Sequence, residues 1–229
     1  MRKITLIALI VCFAGVTIAQ EKEKRSVGDF TAVSVSSGID LYLTQSDAIQ
    51  LEVECRKDDL HRLRTEVEGS TLKIYMKGSS SWNWNSKTVP KVYLSFRQLK
   101  KIVASGGSDI YGQNTIEQEH LKISTSGGAD IYVEVKTGEL KLTTSGGSDI
   151  KIKGTTDKLI ASSSGGSDIN ARELKAQSVK VTSSGGADAI VWAEKEITAN
   201  ASGGSDIIYY GNPEIKQLNE SGAGDISHR

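Results

Sequence analysis

Aspartates recur through the second half of this 229-residue chain, 18–21 residues apart. Each lies in a motif close to S-G-G-[S/A]-D-I, and the last copy is degenerate. Carboxylates beside glycine turns can bind Ca²⁺ when successive turns stack. A catalytic carboxylate is needed only once, so the repetition favours a structural role. The repeated aspartates are Asp109, Asp130, Asp149, Asp168, Asp188, Asp206 and Asp225.

The same aspartates can instead close their turns, because Asp side chains accept hydrogen bonds from nearby backbone N–H groups. Calcium-binding β-rolls carry a glycine turn about every nine residues. Here the turn comes once per repeat and lacks the third glycine. Stacked carboxylates repel by only about 1 kcal/mol per pair in water. We predict that each aspartate bonds its own corner and that the chain holds no metal or other cofactor, and we keep calcium binding as the alternative.

Aromatic residues outside the core are the second group with binding chemistry. Aromatic faces bind sugar rings or protein partners when they are exposed. The alternative is that the N-terminal region folds over them. Counting outward positions from the repeat aspartates and adding the polar loop 79–87 gives six candidate ligand-binding residues: Trp82, Trp84, Tyr111, Tyr132, Trp192 and Tyr210.

Enzyme motifs are weak in this sequence. His61, His120 and His228 lie far apart and have no metal-ligand spacing. There is no G-x-S-x-G motif. We therefore predict that the protein is not an enzyme. A polysaccharide-active β-helix stays as an alternative, because carboxylates on a solenoid surface can act on glycans.

Apolar residues alternate with polar ones on both sides of each glycine pair, which predicts two strands per repeat and no helices. In one repeat, Leu140 and Leu142 face inward with Lys141 outward. Lys122 and Lys180 also fall at outward positions. Each repeat then forms one coil of about 19 residues, stacked in parallel on the next. The predicted fold is an all-β parallel β-solenoid, or β-helix, with two main sheets.

Glycine and polar segments supply the bends of each coil. The Gly-Gly pair suits a tight corner with positive φ, and we expect Gly146 to tolerate a β-branched side chain worse than an outward lysine does. The polar stretches 136–139 and 154–157 are expected to form return turns. Residues 20–104 are less regular, and we interpret them as a diverged β region that caps the repeat solenoid of residues 105–229.

Residues 1–19 have the pattern of a secretory signal peptide: Arg2 and Lys3, an apolar run, and small residues before cleavage after Ala19 or Gln20. The protein is thus expected in the periplasm, at the cell surface or outside the cell. Only Cys55 remains after cleavage, so no intramolecular disulfide forms. The net charge is zero, which argues against nucleic acid as a partner. No later segment is apolar enough to cross a membrane.

The signal peptide, the first strand at Asp29-Phe30-Thr31 and the serial S-G-G-S-D-I turns resemble the head GIN domain family of auto-transporter adhesins. The resemblance covers about residues 28–226. It implies an exported protein of a kind common in Bacteroidetes, a two-sheeted solenoid pectin-lyase-like in shape, an adhesion role and no catalytic residues. Few residues follow the last repeat, so we do not expect the membrane barrel of a true autotransporter.

These observations predict an exported, non-enzymatic β-solenoid that binds a glycan or a surface protein. A calcium-binding structural protein of the envelope is the first alternative, and a polysaccharide-active enzyme is the second. The sequence leaves open which ligand is bound and whether the chain forms a homo-oligomer.

Overall fold

The computed structural model describes residues 20–78 and 88–229. The predicted signal peptide and the loop that contains Trp82 and Trp84 lie outside these ranges. Within them the chain forms 17 β-strands and a single 3₁₀ turn at Lys57–Asp59, and no α-helix. The predicted all-β class is confirmed.

The strands are numbered in chain order. The N-terminal strands are β1 (Gln20–Arg25), β2 (Ala32–Val35), β3 (Asp40–Gln45), β4 (Gln50–Arg56), β5 (Leu63–Glu68), β6 (Thr71–Met76), β7 (Lys91–Phe96), β8 (Lys101–Ser105) and β9 (Ile110–Gly112). The repeat strands are β10 (Ile116–Ser126), β11 (Ile131–Gly146), β12 (Asp149–Gly165), β13 (Asp168–Gly185), β14 (Ala189–Gly203), β15 (Asp206–Tyr210), β16 (Ile215–Gly222) and β17 (Asp225–His228).

Equivalent residues of successive repeats lie side by side in parallel register. Leu140 pairs with Leu121 on one side and with Leu159 on the other. After the corner, Ile131, Ile150 and Ile169 pair in the same way. Because each coil places the same residue type at the same position, the predicted parallel β-solenoid of about 19-residue coils is confirmed.

The polar stretches between repeats do not leave the sheet, contrary to the expected return turns. Lys136 and Thr137 of β11 keep their ladder pairing with Thr155 and Thr156 of β12. The buried Thr137 hydroxyl donates to Thr156 Oγ1 at 2.9 Å. The chain therefore bends while its backbone hydrogen bonds continue. Gly154 permits this bend, since its φ is +116° and a Cβ there would lie 1.9 Å from the Val135 carbonyl oxygen.

The N-terminal strands stack in an order that differs from their order in the chain. β2 pairs with both β6 and β8, and β3 pairs with both β7 and β9, all in parallel. The coil made by β2 and β3 is therefore an inner one. Beyond it, β5 pairs with β6, β4 with β7 and β1 with β4, all antiparallel. β8 also pairs with β10, so backbone hydrogen bonding continues from this region into the repeats.

Inward side chains form one continuous aliphatic core along the coils. Leu72, Ile102, Ile123 and Leu142 are each 0 % exposed. Complete burial of such a side chain contributes roughly 1.5–3 kcal/mol. Cys55 is part of this core, and burial, with a smaller effect of the Asp59 charge, raises the pKa of its thiol to about 11. Cys55 is thus a packing residue.

Buried hydroxyls line the inside of the repeat corner, at the [S/A] position of the motif. Ser148 is fully buried, with its Oγ 2.9 Å from the Ser145 carbonyl oxygen and 3.0 Å from Thr125 Oγ1. Ala129 and Ala187 occupy the same position in other coils and are also buried. The position therefore accepts either a small side chain or a hydroxyl whose hydrogen bonds are satisfied internally.

Candidate functional site

The aspartates of the repeat corner join neighbouring coils. The Asp149 backbone N–H donates to Asp130 Oδ1 at 3.0 Å, and the Asp168 N–H donates to Asp149 Oδ1 at 3.1 Å. The same bond links Asp109 to Asp130, Asp168 to Asp188 and Asp188 to Asp206. The expectation that each carboxylate bonds its own corner is therefore corrected. Parallel stacking brings the next coil's N–H within reach of the carboxylate at the strand spacing of about 4.8 Å.

Several of these carboxylates are easier to protonate than a free aspartate. Burial raises the pKa of Asp109 and of Asp149, and the charges of neighbouring aspartates add to the rise. Burial and the Asp109 charge likewise raise the pKa of Asp40. Among the described residues, no group of three or more Asp, Glu, His or Cys side chains is placed to hold a metal ion. The aspartates join neighbouring coils by hydrogen bonds. When all of them are ionised, repulsion between their charges destabilises the fold.

We predict that Asp149→Asn stabilises the protein at neutral pH. Asparagine keeps the Oδ1 acceptor for Asp168 but removes the charge, which is worth about 0.5–1 kcal/mol after screening. The thermal midpoint should rise by roughly 1–4 °C at pH 7. Because the pKa of Asp149 is raised in the folded protein, its protonated form contributes stability. This contribution is complete below the unfolded pKa, near 3.8, and it is lost as the pH rises through the folded pKa.

The gain should therefore disappear at pH 3, where the wild-type Asp149 is protonated. Asp149→Ala is the control, because it removes both the charge and the acceptor and should destabilise. Calorimetric melts of the three proteins at pH 3 and pH 7 test the prediction. An asparagine effect of equal size at both pH values would contradict it.

Four tyrosines stack face to face on the outside of the sheet that follows the corner. We call them the tyrosine stack, in the spatial order Tyr93, Tyr42, Tyr111 and Tyr132. Their ring centroids are 5.0, 5.3 and 5.5 Å apart. The Lys22 ammonium lies 5.0 Å from the Tyr93 centroid and covers that end. The ring faces inside the stack are thus occupied.

Hydrogen bonds fix the tyrosine stack to the aspartates. The Tyr111 hydroxyl donates to Asp109 Oδ2 and the Tyr132 hydroxyl to Asp130 Oδ2, both at 3.3 Å. Burial, followed by the Asp109 charge, raises the pKa of Tyr111 to about 12. The pKa of Tyr132 is raised for the same reasons, with Asp130 as the neighbouring charge. Both hydroxyls therefore stay protonated at neutral pH and hold their rings in place.

Tyr132 ends the stack and leaves one ring face towards the next coil. Its partner in register there is Lys151, not another aromatic residue. Tyr132 is 39 % exposed and lies at the side of a groove of about 490 Å³. The other groove residues used below are Gln113, Asn114, Glu134, Lys151, Lys153 and Asn170.

The groove combines amide groups with an ion pair. Lys153 Nζ lies 3.1 Å from Glu134 Oε2, and the Thr115 hydroxyl donates to Glu134 Oε1 at 3.0 Å. The hydrogen bond from Lys153, then that from Thr115, lowers the pKa of Glu134. Glu134 is therefore a fixed hydrogen-bond acceptor. Asn114 Oδ1 accepts the Gln45 N–H, Asn114 Nδ2 donates to the Gln45 carbonyl oxygen, and Gln113 Nε2 donates to the Tyr111 carbonyl oxygen, so these amides fix the wall of the groove.

The aromatic pair further along the solenoid is covered by cations. Trp192 stacks on Tyr210 with centroids 5.9 Å apart. The Lys175 ammonium lies over the Trp192 ring, and the Arg172 guanidinium lies 4.7 Å from the Tyr210 centroid. Trp192 Nε1 donates to Glu194 Oε1 at 2.8 Å. The faces of these two rings are much less open to a sugar than that of Tyr132.

The six sequence candidates thus occupy different surroundings. Trp82 and Trp84 lie outside the described residues, Tyr111 is enclosed in the tyrosine stack, and Tyr132 borders the groove. Trp192 and Tyr210 form the cation-covered pair. Sequence reasoning missed Tyr42 and Tyr93. Tyr42 had a detectable signal, because Asp40-Leu41-Tyr42 has the same pattern as Asp109-Ile110-Tyr111.

A family model described as "Putative auto-transporter adhesin, head GIN domain" matches residues 29–213. The chain belongs to this family. The predicted resemblance is therefore confirmed, and membership indicates an adhesion or binding role for a cell-surface or exported protein. No helix in residues 20–78 or 88–229 is long and apolar enough to span a bilayer.

Solved structures share the fold of this head GIN domain. A "putative adhesin" from Bacteroides fragilis is 24% identical with a TM-score of 0.86, and the match covers 93% of this chain and 98% of that one. A "putative adhesin" from Parabacteroides merdae is 20% identical with a TM-score of 0.73, over 92% and 96% of the two chains. A "putative lipid binding protein" from Parabacteroides distasonis is 22% identical with a TM-score of 0.71, over 92% and 96%. No curated protein matches the chain.

The strand segments that precede the glycine corner present a row of lysines to solvent. Lys101, Lys122 and Lys141 lie side by side on β8, β10 and β11, Ile160 follows on β12, and Lys180 lies on β13. We call these four lysines the lysine row. All four are exposed. Neighbouring ammonium groups repel by about 1 kcal/mol per pair in water.

Proposed function

We propose that this head GIN domain is an exported, non-enzymatic binding protein that binds a glycan in the groove beside Tyr132. The observation that supports this most directly is that Tyr132 is the last ring of the tyrosine stack and is 39 % exposed beside the groove. A sugar ring placed there would continue the stack by one more layer. The periplasm, the cell surface and the extracellular space are all consistent with the proposal.

The groove chemistry favours a sugar over a purely apolar ligand. The C–H face of a hexose packs on an aromatic ring, while its hydroxyls need donors and acceptors around the edge. Tyr132 supplies the ring. The Asn114 amide bonds the Gln45 backbone through both of its polar atoms, so the amide atoms left for a sugar are Gln113 Oε1 and Asn170 Nδ2. Glu134 and Lys153 add an acceptor and a donor that are held in place by their ion pair.

Glu134 is poorly suited to act as the general acid of glycoside hydrolysis. A glycosidase needs one carboxylic acid with a raised pKa to protonate the leaving group. Lys153 and Thr115 lower the pKa of Glu134 instead. Glu134 therefore does not supply the general acid, and Glu173 is the other carboxylate that lines the groove. Long incubation with polysaccharides followed by assay for new reducing or unsaturated ends tests the enzyme alternative, and any enzyme-dependent product would favour it.

We predict that Tyr132→Ala weakens glycan binding by about 10–30-fold, because it removes the stacking face that anchors the sugar. Tyr132→Phe should bind nearly as well as the wild type, since it keeps the ring and loses only the hydroxyl. Tyr75→Ala is a control at a half-buried tyrosine on β6, a strand that does not line the groove. A glycan array followed by calorimetric titration of the best binder gives the affinities.

Equal glycan binding by Tyr132→Ala and the wild type would show that the groove is not the binding site. The remaining candidates would then be Trp82 and Trp84, tested together as Trp82→Ala with Trp84→Ala. Loss of glycan or protein binding without loss of folding would assign the role to that loop. The calcium-binding structural protein stays the alternative if neither variant changes any binding.

A further inference from the structure

We infer that the lysine row is a second binding surface, and that it binds a linear acidic polysaccharide. This surface lies on the strand segments that precede the glycine corner, whereas the groove of Tyr132 lies on the segments that follow it. The inference stands independently of the proposed function, because it uses different residues and a different ligand charge.

The lysine row is left without neutralising partners where the fold could easily have supplied them. Three other lysines pair with a glutamate of the adjacent coil: Lys136 with Glu117, Lys153 with Glu134, and Lys158 with Glu139. Across residues 20–78 and 88–229, none of the lysine row takes part in an ion pair. A chain with zero net charge therefore concentrates unpaired positive charge along one line.

The surface beside the lysine row is rich in hydroxyls. Moving along each strand towards the glycine corner, the next two outward positions carry small side chains. In β10 these are Ser124 and Ser126, and in β11 they are Thr143 and Ser145. Such groups hydrogen-bond sugar hydroxyls and leave the ammonium groups standing above the surface.

The residue types on this face indicate which class of polyanion it binds. Within β8 and β10–β13, the outward positions from the lysine row to the corner hold neither arginine nor aromatic residues. Single-stranded nucleic acid binding relies on aromatic stacking, and phosphate binding favours arginine. A line of lysines on adjacent strands, interrupted once at Ile160, instead fits an extended polymer that carries one carboxylate on each sugar. The occupant is therefore a polyuronate.

The test is binding to immobilised polygalacturonate by surface plasmon resonance, with neutral dextran as the reference surface. The row variant replaces Lys101, Lys122 and Lys141 by Gln. The matched control replaces three exposed lysines elsewhere, Lys24, Lys77 and Lys195, by Gln, so both variants lose the same charge. The row variant should bind polygalacturonate at least about tenfold more weakly, and the scattered variant within about twofold of wild type.

Thermal unfolding midpoints close to wild type should show that both variants fold. Wild-type binding should weaken as salt is raised, because exposed charges are screened. Equal losses in the two variants, equal binding to dextran, or no wild-type binding to polygalacturonate would overturn the inference. Preferential binding to single-stranded DNA or to phosphatidylserine vesicles would also overturn it. Tyr132→Ala should leave this binding unchanged, so failure of one site does not decide the other.

Discussion

Gly146→Val is expected to lower the free energy of unfolding by about 2–4 kcal/mol. Gly146 has a φ of +80°, in the left-handed region where a β-branched residue is strained by about 1–3 kcal/mol. A Cβ there would also lie 3.2 Å from the Gly127 backbone nitrogen of the coil above. That neighbour is a backbone atom of a corner whose carbonyl oxygen accepts the Gly107 N–H at 3.2 Å, so it cannot move freely. The thermal midpoint should fall by roughly 4–16 °C.

Gly147→Val is the matched control, since Gly147 is the other half of the same pair. Its φ is not positive, and a Cβ at Gly147 would meet no atom within 4 Å. The change should alter stability by less than about 1 kcal/mol. Melts of the two variants followed by circular dichroism compare them directly. If Gly147→Val were as damaging as Gly146→Val, the loss would reflect the bulk of valine at an exposed corner and not backbone conformation.

The repeat region could be predicted from sequence because every coil repeats the same pattern of inward and outward residues. Inward and outward positions follow a period of two, and one wrong position would conflict with its equivalents in other coils. Leu140 and Leu142 are buried and Lys141 is exposed, as the alternation predicts. Tyr132 is outward for the same reason. Repetition thus turns a weak local signal into a strong one.

The N-terminal region could not be predicted in the same detail, because its coil order depends on long-range pairing. The sequence of β2 does not predict that this strand lies between β6 and β8. Tyr42 and Tyr93 come from strands far apart in sequence, and only this pairing brings their rings together. Counting outward positions within single repeats therefore could not reveal the tyrosine stack.

The hydrogen-bond partners of the corner aspartates also could not be predicted from turn preferences alone. Turn statistics predict that an aspartate bonds the backbone of its own turn. In the solenoid, the next coil offers an N–H at the strand spacing, and Asp130 accepts from Asp149 instead. The sequence shows which residue repeats, but the partner is set by stacking geometry.

Replacing Lys216 and Glu220 by Leu is expected to make the protein self-associate. In the last coil these residues occupy ladder positions that are buried and uncharged in the preceding coil: Lys216 pairs with Ile197, and Glu220 pairs with Ala201. The Lys216 ammonium lies 5.8 Å from the centroid of the Tyr209 ring, and Glu220 Oε1 accepts the Ile226 N–H at 2.9 Å. Inward charges of this kind protect an open sheet edge from pairing with another chain.

With leucines at both positions, β16 would present them together with Leu218, which is already 40 % exposed. Burial of each added leucine against a second copy would favour association by roughly 1.5–3 kcal/mol, so self-association should tighten by at least about tenfold. Lys216→Gln with Glu220→Gln is the control, because it removes the charges but keeps polar groups at the edge. Light scattering after size exclusion, over a series of protein concentrations, should show a rising mean mass for the leucine variant alone. A leucine variant that matches the glutamine control at every concentration would mean that strand geometry, and not the inward charges, closes this end of the solenoid.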